Sequence, residues 1–184
     1  DESFGRWPNG SGQLYPMIAT TLGAANNGPR VGPIVISEFM YHLPDTVNVA
    51  DPQMVEFVEL YNPTPQTVDL SNWRLEGVDL DFPAGTMLGP GQTLTLVPFD
   101  PISDQPHVAA FGETYSVNVD PAKYLGPYLG RLDNGGENLT LFRADVPRPE
   151  SPATIPLVLE DQVGYDDTAP WPLGPDGTGQ SLER

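Results

Sequence analysis

Prolines and glycines interrupt this chain so often that no long regular element can form. The 184 residues include 22 prolines and 19 glycines. Proline removes a backbone donor and clashes with the preceding helical turn, which excludes extended helices over most of the length. Between the breaks lie short runs rich in β-branched and aromatic residues, at 35–41, 54–61, 73–75, 92–97, 137–142 and 155–165. These runs read as strands. QTLTLV at 92–97 shows the alternation a half-buried strand needs, with Leu94 and Leu96 on one face and Thr93 and Thr95 on the other. Two stretches compete as helix. Residues 103–113 (SDQPHVAAFGE) open on an N-cap candidate but contain Pro106, and residues 120–124 (DPAKY) suit one turn with proline at its first helical position. The expectation is an all-β fold, a sandwich or barrel of short strands with one short helical excursion.

Charge narrows the possible partners. Twenty-five acidic residues stand against eight basic ones, for a formal net charge of -17, and Lys123 is the only lysine. Nucleic-acid affinity rests on lysine and arginine displacing counterions from phosphates, so this chain is expected to repel nucleic acid and anionic lipid. No apolar run approaches the roughly 18 residues of a membrane span, and no signal-peptide pattern follows Asp1. The absence of cysteine excludes disulfides and thiol chemistry, and a chain this long can bury a core without either staple or metal.

EFVELYN, at 56–62, sets Glu56 and Glu59 in an apolar run bounded by the turn signal NPTP. Strand side chains alternate faces, so carboxylates three apart point to opposite sides of a sheet and cannot form an acid/base dyad. One of them must face the core, where it needs hydrogen-bond partners or a raised pKa. Glu38, in ISEFMY, poses the same problem one strand earlier. Signatures of nucleophile, phosphate cradle and zinc hydrolase are missing, and His42 and His107 each sit beside turn residues. DNGGEN, at 133–138, reads as a hairpin turn rather than a calcium loop. No catalytic, cofactor-binding or metal residue is assigned. A minority reading has acidic loops bearing Asp79, Asp81, Asp133 and Asp166 bind calcium for stability.

An internal echo organises the ends of the chain. PNGSGQ at 8–13 matches PDGTGQ at 175–180 and keeps every glycine. A repeat at whole-domain spacing suggests tandem copies in a longer parent. Residues 1–32 are then an arm, the tail of a preceding copy plus the linker LGAANNGPRVGP, and residues 33–184 are the β-sandwich domain. Phe4, Trp7, Leu14, Tyr15 and Met17 are too apolar to leave wholly in water, so the arm is expected to pack on the sandwich or on a neighbouring molecule.

The order IVISEFMY, EFVELYNPTPQTVDLSNWRLEG, FPAGTMLGPGQTLTLV, GRLDNGGENLTLFR, DQVGYDDTAPWP and DGTGQSLER resembles a bacterial lamin tail domain. The resemblance implies an immunoglobulin-like β-sandwich, used as a protein interaction module rather than as an enzyme. It places Glu38, Glu59, Asn62 and Trp73 in a common framework, with Trp73 as a core anchor. It also implies a module of exported or surface-attached bacterial proteins. Without a heptad rod or a basic cluster, filament assembly and chromatin contact do not carry over. Residues 97–130 form an insertion, expected either as a functional lid or as cover for an open sheet edge.

The expected function is therefore a noncatalytic adhesion or scaffolding module of a larger exported protein, with a protein or cell-surface partner, no cofactor and a capacity for arm-mediated self-association. The alternative is an accessory domain that positions a secreted hydrolase or nuclease on its substrate, for example a polysaccharide, with Tyr124 and Tyr128 stacking on sugar rings or else packing against the sandwich.

Overall fold

The computed structural model describes residues 3–30, 32–46, 49–147, 149–151 and 153–184, and the Gln13 backbone without its side chain; Asp1, Glu2 and Val31 of the arm lie outside the described residues. In chain order the strands are β1 (Phe4–Trp7), β2 (Gln13–Pro16), β3 (Val35–Met40), β4 (Phe57–Tyr61), β5 (Val68–Asp69), β6 (Arg74–Glu76), β7 (Leu80–Asp81), β8 (Met87–Leu88) and β9 (Thr93–Leu96). Helix α1 (Gln105–Tyr115) follows, then β10 (Tyr124–Leu125), β11 (Asn138–Ala144), β12 (Leu157–Gly164) and β13 (Leu182–Glu183). A five-stranded sheet runs β10-β9-β4-β3-β13, and a four-stranded sheet runs β12-β11-β6-β7. Hairpin β1-β2 and the pair β5-β8 complete the set.

The two larger sheets face each other as a sandwich. Alternation aims Val58 and Leu60 of β4, and Leu94 and Leu96 of β9, at Leu75, Leu139 and Leu141 of the opposite sheet. Trp73 sits in that core, as expected of the anchor, and is 4% exposed. A second core lies on the outer face of the five-stranded sheet, where Phe57, Val97 and Met40 pack with Phe99 and with Phe111 of α1. The insertion thus covers this sheet face with α1, and it covers an edge as well, since β10 pairs with β9 at the end of the five-stranded sheet. Asp104 caps α1 by accepting from the His107 N–H at 3.5 Å, and Pro106 is harmless in the first turn, where its missing N–H has no partner to lose. Residues 120–124 do form a turn, with the Asp120 carboxylate accepting from the Ala122 N–H at 3.0 Å before β10 begins.

The DNGGEN hairpin is corrected. The turn exists, with Gly136 at φ +106 and its N–H donating to the Asp133 carbonyl, but β11 ladders with β12 and β6, not with the chain entering the turn. That entering segment goes elsewhere, because the Leu132 N–H donates to Glu56.

Two bulges decide where acidic side chains point. Along β3, Ile36 pairs with Leu60 and Glu38 pairs with Glu59, so Ser37 is the extra residue. Strict alternation would put Glu38 on Ile36's inner face, and the bulge reverses the phase. Along β12, Leu141 pairs with Asp161 and Phe142 with Leu159, which leaves Glu160 as the extra residue and buries two adjacent acids.

The arm packs on the sandwich. Met17 is buried, and Arg30 donates to Glu160 at 3.1 Å. Gly32 passes so close to Glu160 that a Cβ there would fall 1.6 Å from Oε1, so a larger residue would have to displace the buried carboxylate. Phe4, Trp7 and Leu14 nonetheless remain exposed.

Candidate functional site

Glu56 and Glu59 part company as their spacing requires. Glu56 follows a single 3-10 turn (Pro52–Val55) whose N-cap is Asp51, and it is 4% exposed. Its Oε2 accepts from the Leu132 N–H at 3.2 Å. Burial pushes its carboxyl up to about 8, with Asp51 and Glu137 adding to the rise and Leu132 and Arg131 opposing it. The nearby Tyr128 phenol, also buried, is held well above its usual value, first by desolvation and then by Glu56. Tyr128 belongs to the main core and cannot stack on a sugar. Glu56 is thus a structural acid that fastens residues 131–132 beneath β4.

Glu59 projects outward. Direct pairings set Glu183, Glu38, Glu59, Thr95 and Tyr124 in one row across β13, β3, β4, β9 and β10. Directly paired residues share a face, and neighbouring strands lie about 4.8 Å apart. The Ser37 hydroxyl donates to Glu59 Oε1 at 2.8 Å, and the Ser181 hydroxyl donates to Glu38 Oε1. Among the described residues, no arginine, lysine or histidine forms an ion pair with either glutamate. Like charges set directly opposite each other cost roughly 0.2–1 kcal/mol, a penalty the fold retains here.

Aromatic rings from the second core flank this row. Phe57 meets Tyr115 edge-on at 5.4 Å, Phe111 lies 4.7 Å from Tyr115, and Phe111 meets Tyr124 edge-on at 5.8 Å. Tyr115 is anchored by donating its hydroxyl to the Val55 carbonyl at 2.5 Å. Together with Glu38, Glu59 and Thr95 the rings line a recess of about 230 Å³. Burial raises the Tyr124 phenol above its usual value, and Glu59 adds to the rise.

Several other charged groups are held by the framework. Asp161 accepts from the Ile36 N–H at 2.8 Å and from Arg184 on both oxygens, at 2.7 and 2.6 Å, tying the edge of one sheet to the other. Glu160 receives Arg30 at 3.1 Å and Arg143 at 3.3 Å. Arg74 binds Asp79 at 3.1 Å and Asp81 at 2.7 Å. Asp133 accepts from the Gly135 N–H at 2.8 Å, and Asp166 accepts from the Thr168 N–H at 2.8 Å. The four aspartates of the calcium reading are therefore engaged in separate turns and pairs. His42 bonds Asp176 at 2.6 Å and His107 bonds Asp104 at 2.7 Å, each a local structural pair. Asn62, fully buried, donates to the Gln66 and Leu88 carbonyls at 2.8 and 2.9 Å and closes the turn after β4.

Two larger hollows lie elsewhere. One, of about 740 Å³, opens between the free edges of β12 and β13 and exposes Trp171, Asp166 and Glu183. The other, of about 380 Å³, separates the arm from β12 beside Arg30 and Glu160. Sequence reasoning missed Phe111 and Tyr115 as ring walls. The signal was present in the apolar spacing of the helical stretch, but not which sheet face it would cover.

This sandwich matches the lamin tail domain family over residues 27–147, more than half of the chain. The chain belongs to the lamin tail domain family. The match begins in the linker and ends after β11, so β12, which carries the buried Glu160 and Asp161, and Arg184 just past β13 lie beyond it. Glu38, Glu59, Asn62 and Trp73 all fall inside it, in the immunoglobulin-like framework of the family. A hybrid PKS-NRPS synthetase from Hapsidospora irregularis is 31% identical over 108 residues, covering 59% of this chain and 2% of that protein. The chain thus spans a very small part of the curated relative it matches.

Proposed function

We propose that this lamin tail domain is a noncatalytic interaction module of a larger modular protein, acting in adhesion or scaffolding through a protein or cell-surface partner. One observation carries this reading: the buried carboxylates are consumed by the framework, with Glu56 held by a backbone N–H, Asp161 by Ile36 and Arg184, and Glu160 by Arg30 and Arg143. A catalytic acid or base needs access to a reacting group, whereas these hold strands and sheets together. Membership of a noncatalytic family supports the same reading. The exported or surface-attached bacterial setting and the tandem arrangement belong to the proposal. The echo of PNGSGQ in PDGTGQ supports the tandem arrangement.

The test is deletion of residues 33–184 from the parent polypeptide, followed by measurement of its envelope association and of any activity of neighbouring domains. Association should fall while activity on small soluble substrates persists. Unchanged association, or turnover by the isolated domain, would sink the reading.

A second reading, an accessory domain within an enzyme, draws support from the similarity to a 2% segment of a synthetase. In that case the same deletion would spare activity on small substrates and weaken activity on polymeric ones.

A further inference from the structure

We infer that the recess between α1 and the outer face of the five-stranded sheet binds one cationic side chain, an arginine or lysine, carried by a partner polypeptide. This rests on the interaction-module reading and gives it a site.

The argument starts from shape. The recess holds about 230 Å³, room for one long side chain and too little for a sugar chain or a helix. Its walls are Phe57, Phe111, Tyr115 and Tyr124, with neighbouring rings set steeply to one another, at interplanar angles of 88° for Phe57 with Tyr115 and 82° for Phe111 with Tyr124. Phe57 and Phe111 are buried in the second core, so the aromatic surface open to an occupant belongs to the half-buried Tyr115 and Tyr124. Aromatic faces attract ammonium and guanidinium groups, and the attraction strengthens as water is excluded.

Charge selects the same occupant. Glu38 and Glu59 stand directly opposite each other at the floor of the recess, each with one hydroxyl donor. A carboxylate accepts at about four lone-pair sites, so each keeps capacity for a charged donor. A cation between them would relieve their repulsion and gain charge-assisted hydrogen bonds. No cation of this chain does so among the described residues, and Lys123, the one lysine, is exposed beside the recess with no ion pair there. The phase reversal at Ser37 turns Glu38 outward into this position, and the Ser37 hydroxyl steadies Glu59. A neutral ligand could donate hydrogen bonds but would leave the repulsion between the carboxylates in place, and an anionic one would be repelled.

The test uses short Gly-Arg-Gly and Gly-Lys-Gly peptides, with a citrulline peptide as the neutral counterpart, titrated into the whole chain at 0.15 M salt. Amide shifts should centre on β3, β4, β9 and residues 111–124, with citrulline binding at least about tenfold weaker. The double variant Glu38→Gln, Glu59→Gln should weaken arginine or lysine binding at least about tenfold. Asp45→Asn with Glu150→Gln, which removes the same charge elsewhere on the surface, should change it less than about twofold. Tyr124→Leu, which keeps an apolar side chain but removes the ring, should lose about two- to fivefold. Equal affinity in the two charge variants, equal binding of citrulline, or shifts confined to the arm or the β12-β13 hollow would overturn the proposal. The shift map is read on the unaltered protein, so it decides the matter even where a variant misfolds. Shifts at another surface would remove this site and leave the module reading standing; that reading fails separately, by the deletion experiment above.

Discussion

The two faces of the five-stranded sheet are made by the same strands and behave as different materials. Inward, Val58, Leu60, Leu94 and Leu96 meet the second sheet in a predominantly apolar core. Outward, the neighbouring positions hold Glu38, Glu59 and Thr95, a row of polar groups beside the rings that α1 lays over Phe57. The inner face is optimised for burial, whereas the outer face keeps paired like charges that a fold selected for stability alone would replace. The contrast marks which face the fold needs and which face is free to serve a partner.

Glu56 is the exception on the inner side, and it gives the largest expected effect. The unfolded chain releases this proton near 4.5, whereas the folded chain keeps it up to about 8. Between those limits the native state holds the extra proton, so the contribution of Glu56 to stability is greatest below about pH 4.5 and falls as pH rises toward 8. The loss is at most about 5 kcal/mol from the shift in pKa. Glu56→Gln keeps an acceptor for Leu132 and cannot ionise. Urea unfolding from pH 4.5 to 9 should show the variant with a shallower fall and greater stability than the parent at pH 8. Identical slopes would mean that Glu56 is solvated and that the inner face tolerates charge.

Trp73→Ala comes next, at about 3–5 kcal/mol, because a large aromatic is removed from a packed interior. A loss below about 1 kcal/mol, read from denaturant midpoints, would show that the inner face collapses around the gap. Phe111→Ala tests the outer face with a comparable truncation. The expected result is local: amide protection lost across residues 105–115, with the global midpoint moving by less than about 1 kcal/mol. A shift as large as that of Trp73→Ala would make the two cores one cooperative unit and erase the distinction between the faces.

How much of this the sequence carried follows from the range of each interaction. Strands β3, β4, β6, β9, β11 and β12 were legible because each lies in a run with enough apolar or β-branched residues to show a period. Strands β5, β7, β8, β10 and β13 span two residues each, too short for any period. The separation of Glu56 from Glu59 was legible, since period two is a property of the backbone. The partner of Glu56 was not, because Leu132 is 76 residues away. Nor were the bulges at Ser37 and Glu160, which no local residue announces and which set the direction of Glu38 and the burial of Asp161. The helical stretch was visible as an alternative, but its packing on the outer face was a matter of tertiary fit. The candidate recess was thus half legible: its carboxylates stood in recognisable strands, while its rings arrived with the insertion.

The smallest expected effect is the one that separates the faces most cleanly. If the outer row is kept for a partner, then Glu38→Gln with Glu59→Gln should stabilise the free protein by roughly 0.2–1 kcal/mol, because each amide still accepts from its serine while the repulsion is gone. The sign matters more than the size, since most substitutions at ordered positions destabilise. Screening offers an internal control. At 1 M salt the Debye length falls to about 3 Å, shorter than the spacing between neighbouring strands, so the gain should shrink there while the deficit of Trp73→Ala persists. A double variant less stable than its parent at both low and high salt would assign the pair a bonding role in the free fold, and the two faces would then differ only in composition.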